Sequence, residues 1–151
     1  MWEKMIKNYT SSVPAGKSVS HIEECLCSHG AQSVVKQYEN KSLASVSFFM
    51  QIDGKLIPFR LPAKVSRVEA ILRKNIRRPR PGTLKKISDQ AERTAWKIIS
   101  DWVDAQMALV ELNQAELIEI FMPYMWSEKL GKSYYQIAEG QGFKLLEKEK
   151  S

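Results

Sequence analysis

The hydrophobic period of this chain changes twice, and that change constrains the fold more than any other feature. From residue 33 onward, three short runs rich in Val, Ile, Phe and Tyr follow one another: SVVKQYEN, SLASVSFFMQI and KLIPFRLP. Such runs are typical of β-strands. The segments before and after them place apolar residues every three or four positions, which is the period of an amphipathic helix. The sequence therefore predicts an α+β fold.

Turn residues join the three predicted strands into an antiparallel meander. Residues 39–41 mark the first turn, and Asp53-Gly54 marks the second with the strongest hairpin signal in the chain. Pro58 and Pro62 have no amide hydrogen to donate, so the third strand is expected at a sheet edge. In the middle strand, a β-bulge would reconcile two apolar sets that compete for the core face: Leu43, Val46, Phe48 and Met50 against Phe49 and Ile52.

One helix is predicted before the meander and a basic helix after it. Ser20 and Glu23 form a capping-box pattern, and Gly30 is suited to end a first helix of about ten residues. The second helix begins near Lys64 and carries basic residues on its polar faces. It ends before the prolines at 79 and 81, because a residue that precedes proline is pushed out of the helical region.

A long helical hairpin completes the predicted fold. A helix over about residues 83–112 is followed by a reversal at Asn113 and a further helix over about 115–121. The apolar period of the long helix predicts its core face to be Ile87, Ala91, Ala95, Ile98, Trp102, Ala105, Leu109 and Leu112. We expect the meander, this hairpin and two further helices to form one α+β domain over residues 1–151, with a flexible end at about 145–151.

Charge is segregated along the chain. Residues 41–86 contain twelve Lys and Arg against two acids, a net charge of +10. Residues 87–128, the acidic helical hairpin, contain two basic residues against eight acids, a net charge of −6. Such segregation indicates a polyanionic partner for one surface of the molecule.

The strongest functional signal is the run RKNIRRPRPGTLKK at residues 73–86, which has seven basic residues and no acid. With its neighbours it forms what we call the basic ridge: Arg60, Lys64, Arg67, Arg73, Lys74, Arg77, Arg78, Arg80, Lys85 and Lys86. Cations spaced in this way suit a phosphate backbone, where counterion release supplies affinity. The ridge therefore predicts nucleic-acid binding with little sequence specificity. The alternative is that it docks on the acidic residues at 89–119 of the same chain or of a second copy.

The acidic helical hairpin and the aromatic residues near it predict the rival function, a non-enzymatic protein–protein interaction. The partner would be a host or viral protein, or a second copy in a homo-oligomer. The candidate partner-binding residues are Trp96, Asp101, Asp104, Tyr124 and Trp126. Trp96 lies beside the core face, where packing in the core is the commoner role for a tryptophan and partial exposure is the alternative that partner binding requires. Asp101 and Asp104 are neighbours on one helical face and could bind a divalent cation, although a solvated acidic face is far commoner.

No motif indicates catalysis, a cofactor or a metal. Cys25 and Cys27 point to different sides of a predicted helix, which makes a mutual disulfide geometrically poor. His21, Cys25 and His29 span more than two helical turns, so they do not form one metal site. No apolar run approaches the roughly twenty residues that cross a bilayer, and no signal-peptide pattern opens the chain. We expect a soluble, cytoplasmic protein, and the sequence favours a binding role over an enzymatic one without excluding the latter.

Three segments carry a resemblance. Residues 90–106 read QAERTAWKIISDWVDAQ, residues 119–125 read EIFMPYM, and residues 57–63 read IPFRLPA. They resemble a family of small phage- and prophage-encoded proteins of unknown function, over much of residues 20–126 in order. The resemblance implies a viral or prophage origin and action in the bacterial cytoplasm. It implies no catalytic residue.

Overall fold

The fold is α+β, as the sequence predicts: a three-stranded antiparallel sheet packs against helices. A computed structural model describes residues 5–149 of the chain. In chain order its elements are α1 (Ala15–Ser28), β1 (Gln32–Glu39), β2 (Ser42–Ile52), β3 (Lys55–Pro62), α2 (Val65–Lys74), α3 (Thr83–Glu111), α4 (Leu117–Phe121), β4 (Trp126–Ser127), β5 (Lys132–Ser133) and α5 (Tyr134–Gly140). Short 3-10 turns follow α4 at Met122–Tyr124 and α5 at Lys144–Leu146.

The main sheet has the order β1-β2-β3, so β2 is central and β3 is an edge strand, as its prolines predict. Asp53 and Gly54 both have positive φ, at 50° and 77°. Asn40 and Lys41 also have positive φ, at 49° and 66°. Two successive residues of this kind form the turns whose twist matches that of antiparallel strands. Both predicted turns are therefore confirmed.

A β-bulge settles the competition for the core face of β2. Tyr38 pairs with Leu43, whereas Gln37 pairs with Ser45, which makes Ala44 the extra residue. An extra residue reverses the alternation of side chains, so residues on both sides of it reach the same face. The buried set is accordingly Leu43, Val46, Phe48 and Met50, while Phe49 and Ile52 are half-buried.

Helix α1 begins earlier than the sequence predicts. It begins at Ala15, after Pro14, and not at the capping-box pattern of Ser20. The longer helix places Val19 in the core, where it is fully buried. Its end is predicted correctly: Gly30 has a φ of 100°, and the amide of Ala31 donates to the carbonyl of Leu26 at 3.0 Å.

The core face of α3 matches the predicted stripe only in its first half. Ile87, Ala91 and Ala95 are buried as predicted, but Ala105 and Leu112 are exposed. From Trp96 onward the buried residues are instead Trp96, Ser100, Val103 and Met107. The helix has a second apolar side, where Trp102 is covered by Phe121 and Tyr124 at ring-centroid distances of 5.6 and 5.7 Å. Because α3 is covered by other residues on two sides, a single apolar stripe in the sequence did not describe the buried face of the whole helix.

The second arm of the helical hairpin is short. Helix α4 has five residues, and Pro123 lies in the 3-10 turn that follows it. Proline disrupts a continuing helix because it lacks an amide donor and its ring clashes with the preceding turn. Phe121 nevertheless anchors this arm, since it is fully buried and contacts Phe48 edge-on at 5.5 Å. Of the predicted flexible end, residues 145–149 are exposed and the last two residues lie outside the described range.

Candidate functional site

The basic ridge follows β3 through α2 and its connection to the first turn of α3. No α2 residue is fully buried, and residues 75–82 form neither helix nor strand. Pro79 and Pro81 contribute no amide donors to regular structure in this connection. Apart from the half-buried Arg60, the ridge residues are exposed: Lys64, Arg67, Arg73, Lys74, Arg77, Arg78, Arg80, Lys85 and Lys86.

Within the described residues, most of the ridge has no carboxylate beside it to neutralise its charge. Arg73 Nη2 donates to Glu69 Oε1 at 2.8 Å, one helical turn away. Within residues 5–149, none of the other nine ridge residues has a carboxylate oxygen within 4.0 Å. In particular, no ion pair in this range joins the ridge to residues 89–119. Helix α2 packs against α3, but within residues 5–149 this contact includes no ion pair between the ridge and the acidic residues, so the structure gives no support for docking of the ridge on the acidic residues of the same chain, one of the two alternatives above.

Arg60 is held in a defined orientation on the face of the sheet. Its guanidinium carbon lies 4.0 Å from the ring centre of Trp126, a cation–π contact. Its Nε donates to Ser47 Oγ at 3.3 Å. Ser47 and Ser45 both donate to Gln37 Oε1, at 3.2 and 2.8 Å. Since Ser45 and Ser47 alternate with the core residues of β2, this polar row crosses the sheet face opposite the core.

Trp96 packs in the core, so of the two readings of this residue packing is confirmed, and the partial exposure that partner binding requires is wrong. The side chain is fully buried in the core. Its Nε1 donates to the carbonyl of Leu43 at 3.0 Å, which joins α3 to β2. A buried indole nitrogen requires such an acceptor, because an unpaired donor in the core is costly. In the sequence, Trp96 lies next to Ala95 of the predicted apolar stripe. The stripe alone did not show that the core covers Trp96 as well as Ala95.

Asp101 holds the segment that precedes α1, residues 5–14, which we call the N-terminal arm. It accepts hydrogen bonds from Asn8 Nδ2 at 2.9 Å and Lys97 Nζ at 2.8 Å, and Lys7 Nζ lies 3.5 Å away. Burial alone would raise the pKa of the carboxyl, but the hydrogen bonds from Lys97 and Asn8 outweigh it and lower the pKa. The arm is further fixed by the hydroxyl of Thr94, which donates to the Asn8 carbonyl at 2.9 Å.

Asp104 contacts helix α1. Its Oδ1 lies 2.6 Å from His21 Nε2 and 3.5 Å from Cys25 Sγ. Burial raises the pKa of the Cys25 thiol to about 11, and the hydrogen bond and charge of Asp104 add to the effect. Asp101 and Asp104 thus contact different parts of the molecule, the N-terminal arm and helix α1. This arrangement does not support the alternative in which the two carboxylates bind one cation between them.

Other acidic residues of α3 and α4 also have partners within the molecule. Glu92 accepts from the amide of Leu43 at 3.4 Å, and Glu111 lies 3.4 Å from His29 Nε2. Glu119 accepts from the amide of Glu116 at 3.4 Å, at the start of α4. The acidic face therefore contributes to tertiary structure, and sequence spacing alone did not show this.

The other two aromatic residues of the predicted partner-binding set, Tyr124 and Trp126, are only partly exposed to solvent. Tyr124 is half-buried against Trp102, and Trp126 is half-buried beneath Arg60. More exposed apolar side chains lie closer to the C-terminus, where the sequence singled out no site. Their exposed fractions are 46% for Tyr134, 52% for Tyr135, 93% for Leu145 and 82% for Leu146.

No helix within residues 5–149 combines the length and the apolar character that crossing a membrane requires. Comparison of the chain with models of protein families, with curated proteins and with solved structures finds no significant match. The resemblance to small phage-encoded proteins stays a prediction. Functional inference depends on the fold and on the two charged surfaces described above.

Proposed function

We propose that this protein is a small phage-type accessory protein that binds nucleic acid through the basic ridge, with little sequence specificity, in the bacterial cytoplasm. One observation supports the proposal most: nine of the ten ridge residues have no carboxylate within 4.0 Å in residues 5–149. Unneutralised cations raise the local potential and attract a polyanion. Each phosphate they contact releases counterions from the nucleic acid, which supplies affinity.

Low sequence specificity follows from how the cations are presented. Base reading requires side chains placed against groove edges, whereas phosphate contacts position the protein without reading sequence. Most ridge cations lie on the exposed faces of α2 and on the irregular connection at residues 75–82. Arg60 differs, because Trp126 and Ser47 fix its guanidinium on the sheet face. We expect it to add an oriented contact to an otherwise electrostatic interface.

The proposal is tested with two matched triple variants and fluorescein-labelled DNA and RNA oligonucleotides at low salt. The first variant replaces three exposed ridge lysines with alanine: Lys74, Lys85 and Lys86. The second replaces three exposed lysines outside the ridge: Lys129, Lys132 and Lys144. Both remove the same charge and the same side chains. Fluorescence anisotropy should show at least about a tenfold loss of affinity for the first. The second should lose much less.

Equal losses in the two variants would contradict a localised interface, since they would show that only net charge matters. Absence of binding by the wild-type protein at low salt would contradict nucleic-acid binding altogether. Circular dichroism of each variant controls for folding, because all six lysines are exposed and their replacement should leave the core intact.

The exposed apolar residues near the C-terminus favour a second candidate, a non-enzymatic interaction with a host or viral protein or with a second copy. Leu145 and Leu146 are more exposed than any other large apolar side chain in residues 5–149. Exposed apolar groups of this kind mark interaction sites when they are contiguous. Sedimentation equilibrium tests self-association: replacing both leucines with serine should lower the mass of an oligomer, and a wild-type monomer would contradict self-association.

A further inference from the structure

Helices α1 and α3 bring together an imidazole, a thiol and a carboxylate. His21 and Cys25 are four residues apart on α1 and therefore lie on one helical face. Asp104 reaches them from α3, across 83 positions of sequence. His21 Nε2 lies 2.6 Å from Asp104 Oδ1 and 3.6 Å from Cys25 Sγ, and Cys25 Sγ lies 3.5 Å from Asp104 Oδ1.

These distances match the edges of a tetrahedral zinc site. With Zn–S near 2.3 Å and Zn–N or Zn–O near 2.0–2.1 Å, a tetrahedron places sulfur about 3.5 Å from each light ligand atom. The two sulfur distances already have this value. The nitrogen–oxygen distance is that of a hydrogen bond and would have to open by about 0.7 Å. The Asp104 side chain is 51% exposed, which leaves it free to make this small movement.

We propose that His21, Cys25 and Asp104 bind one zinc-class divalent cation, with the fourth position taken by water. Imidazole, thiolate and carboxylate are the ligand types that zinc prefers. The His21 and Asp104 side chains are 43% and 51% exposed, so solvent reaches the fourth position.

A bound cation would tie α1 to α3, because its ligands come from both helices. The site does not involve the basic ridge, so its presence is independent of nucleic-acid binding. Sequence spacing did not predict this cation site. The set considered there was His21, Cys25 and His29, and His29 lies too far along α1 to share a cation with the other two. The ligand that completes the set, Asp104, is brought near only by the packing of the two helices.

Cobalt(II) titration of the reduced, metal-stripped full-length protein tests the site. A Co(II)–thiolate bond gives a charge-transfer band in the near ultraviolet, which should saturate at one equivalent and disappear on addition of Zn(II). Cys25→Ser should abolish the band. Cys27→Ser, which removes an exposed thiol two residues away on the same helix, should leave it unchanged. Asp104→Asn and His21→Gln should each weaken Co(II) binding by at least about tenfold.

A band that depends on Cys27, or no saturable band in the wild-type protein, would overturn the site. So would unchanged affinity in both Asp104→Asn and His21→Gln. Thermal unfolding gives a readout that does not depend on the thiolate spectrum. Zn(II) should raise the unfolding temperature of the wild-type protein and of Cys27→Ser, because it binds the folded state selectively. It should raise that of His21→Gln less, because the variant binds the cation more weakly, and an equal rise in both would contradict binding by these ligands.

Discussion

Trp96 joins the long helix to the central strand through a buried ring and one hydrogen bond to the Leu43 carbonyl. Replacing it with phenylalanine removes the donor and part of the ring volume. We expect Trp96→Phe to lower the free energy of unfolding by about 1–3 kcal/mol, measured by urea denaturation. Trp126→Phe is the control and should cost less, since Trp126 is only half-buried. Equal costs would contradict the role of the buried indole.

Asp101 gives a prediction about pH. Its pKa is lower in the folded protein than the ordinary 3.8, since hydrogen bonds from Lys97 and Asn8 outweigh the effect of burial. The stability it contributes is therefore fully present above the ordinary pKa and is lost as pH falls through the folded value. Asp101→Asn should destabilise the protein near neutral pH, and the difference from wild type should shrink below about pH 4.

Denaturant titrations at neutral and acid pH measure this difference. Glu128→Gln, at an exposed position, serves as the control for loss of a carboxylate. A pH-independent difference between wild type and Asp101→Asn would show that the carboxylate's charge does not hold the N-terminal arm.

The contacts of single side chains were the least predictable part of the site. Asp101 meets Asn8 across 93 positions, and Asp104 meets His21 across 83. No local pattern encodes such pairs, because they depend on how α3 packs against α1 and the N-terminal arm. The exposure of the lysines and arginines at 74–86 could be predicted, since charged residues are rarely buried without a partner.

Two glycines give contrasting predictions at the scale of the elements. Gly54 has a φ of 77° in the β2–β3 turn, where a side chain strains the backbone. Gly16 lies within α1, and a Cβ there would meet nothing within 4 Å. Gly54→Ala should lower the free energy of unfolding by about 1 kcal/mol or more, whereas Gly16→Ala should raise it by about 0.5–1 kcal/mol. Thermal denaturation of both variants provides the measurement, and shifts of the same sign would contradict these backbone assignments.

Strands and turns could be predicted because their signals are local. Asp53-Gly54 demands positive φ, and the prolines of β3 exclude it from the sheet centre. The bulge lies at Ala44 because of how β2 pairs with β1. The sequence of β2 therefore indicated that a bulge was needed but did not show at which residue. The start of α1 was missed because Ser20 and Glu23 form a capping-box pattern inside a helix that continues upstream to Ala15.

At the scale of the whole molecule, the two charged halves behave differently. Several carboxylates of α3 and α4 contact His21, His29, Asn8 or the main chain, so the acidic half largely stabilises the fold. The basic half has one internal ion pair within the described range, Arg73 with Glu69. A surface charge that folding leaves uncompensated is available to an external polyanion. This asymmetry favours nucleic-acid binding over the rival interaction through the acidic face.

The salt dependence of binding tests this central claim most directly. Binding of duplex DNA is measured by anisotropy over a range of salt concentrations, for the wild-type protein and for the triple variant Arg77→Ala, Arg78→Ala and Arg80→Ala. We predict that log K falls linearly with log salt, with a slope of about 0.9 for each phosphate contact, and that the triple variant lowers the slope by about 2–3. A wild-type affinity that is insensitive to salt, or a slope that the triple variant leaves unchanged, would contradict the proposed interface.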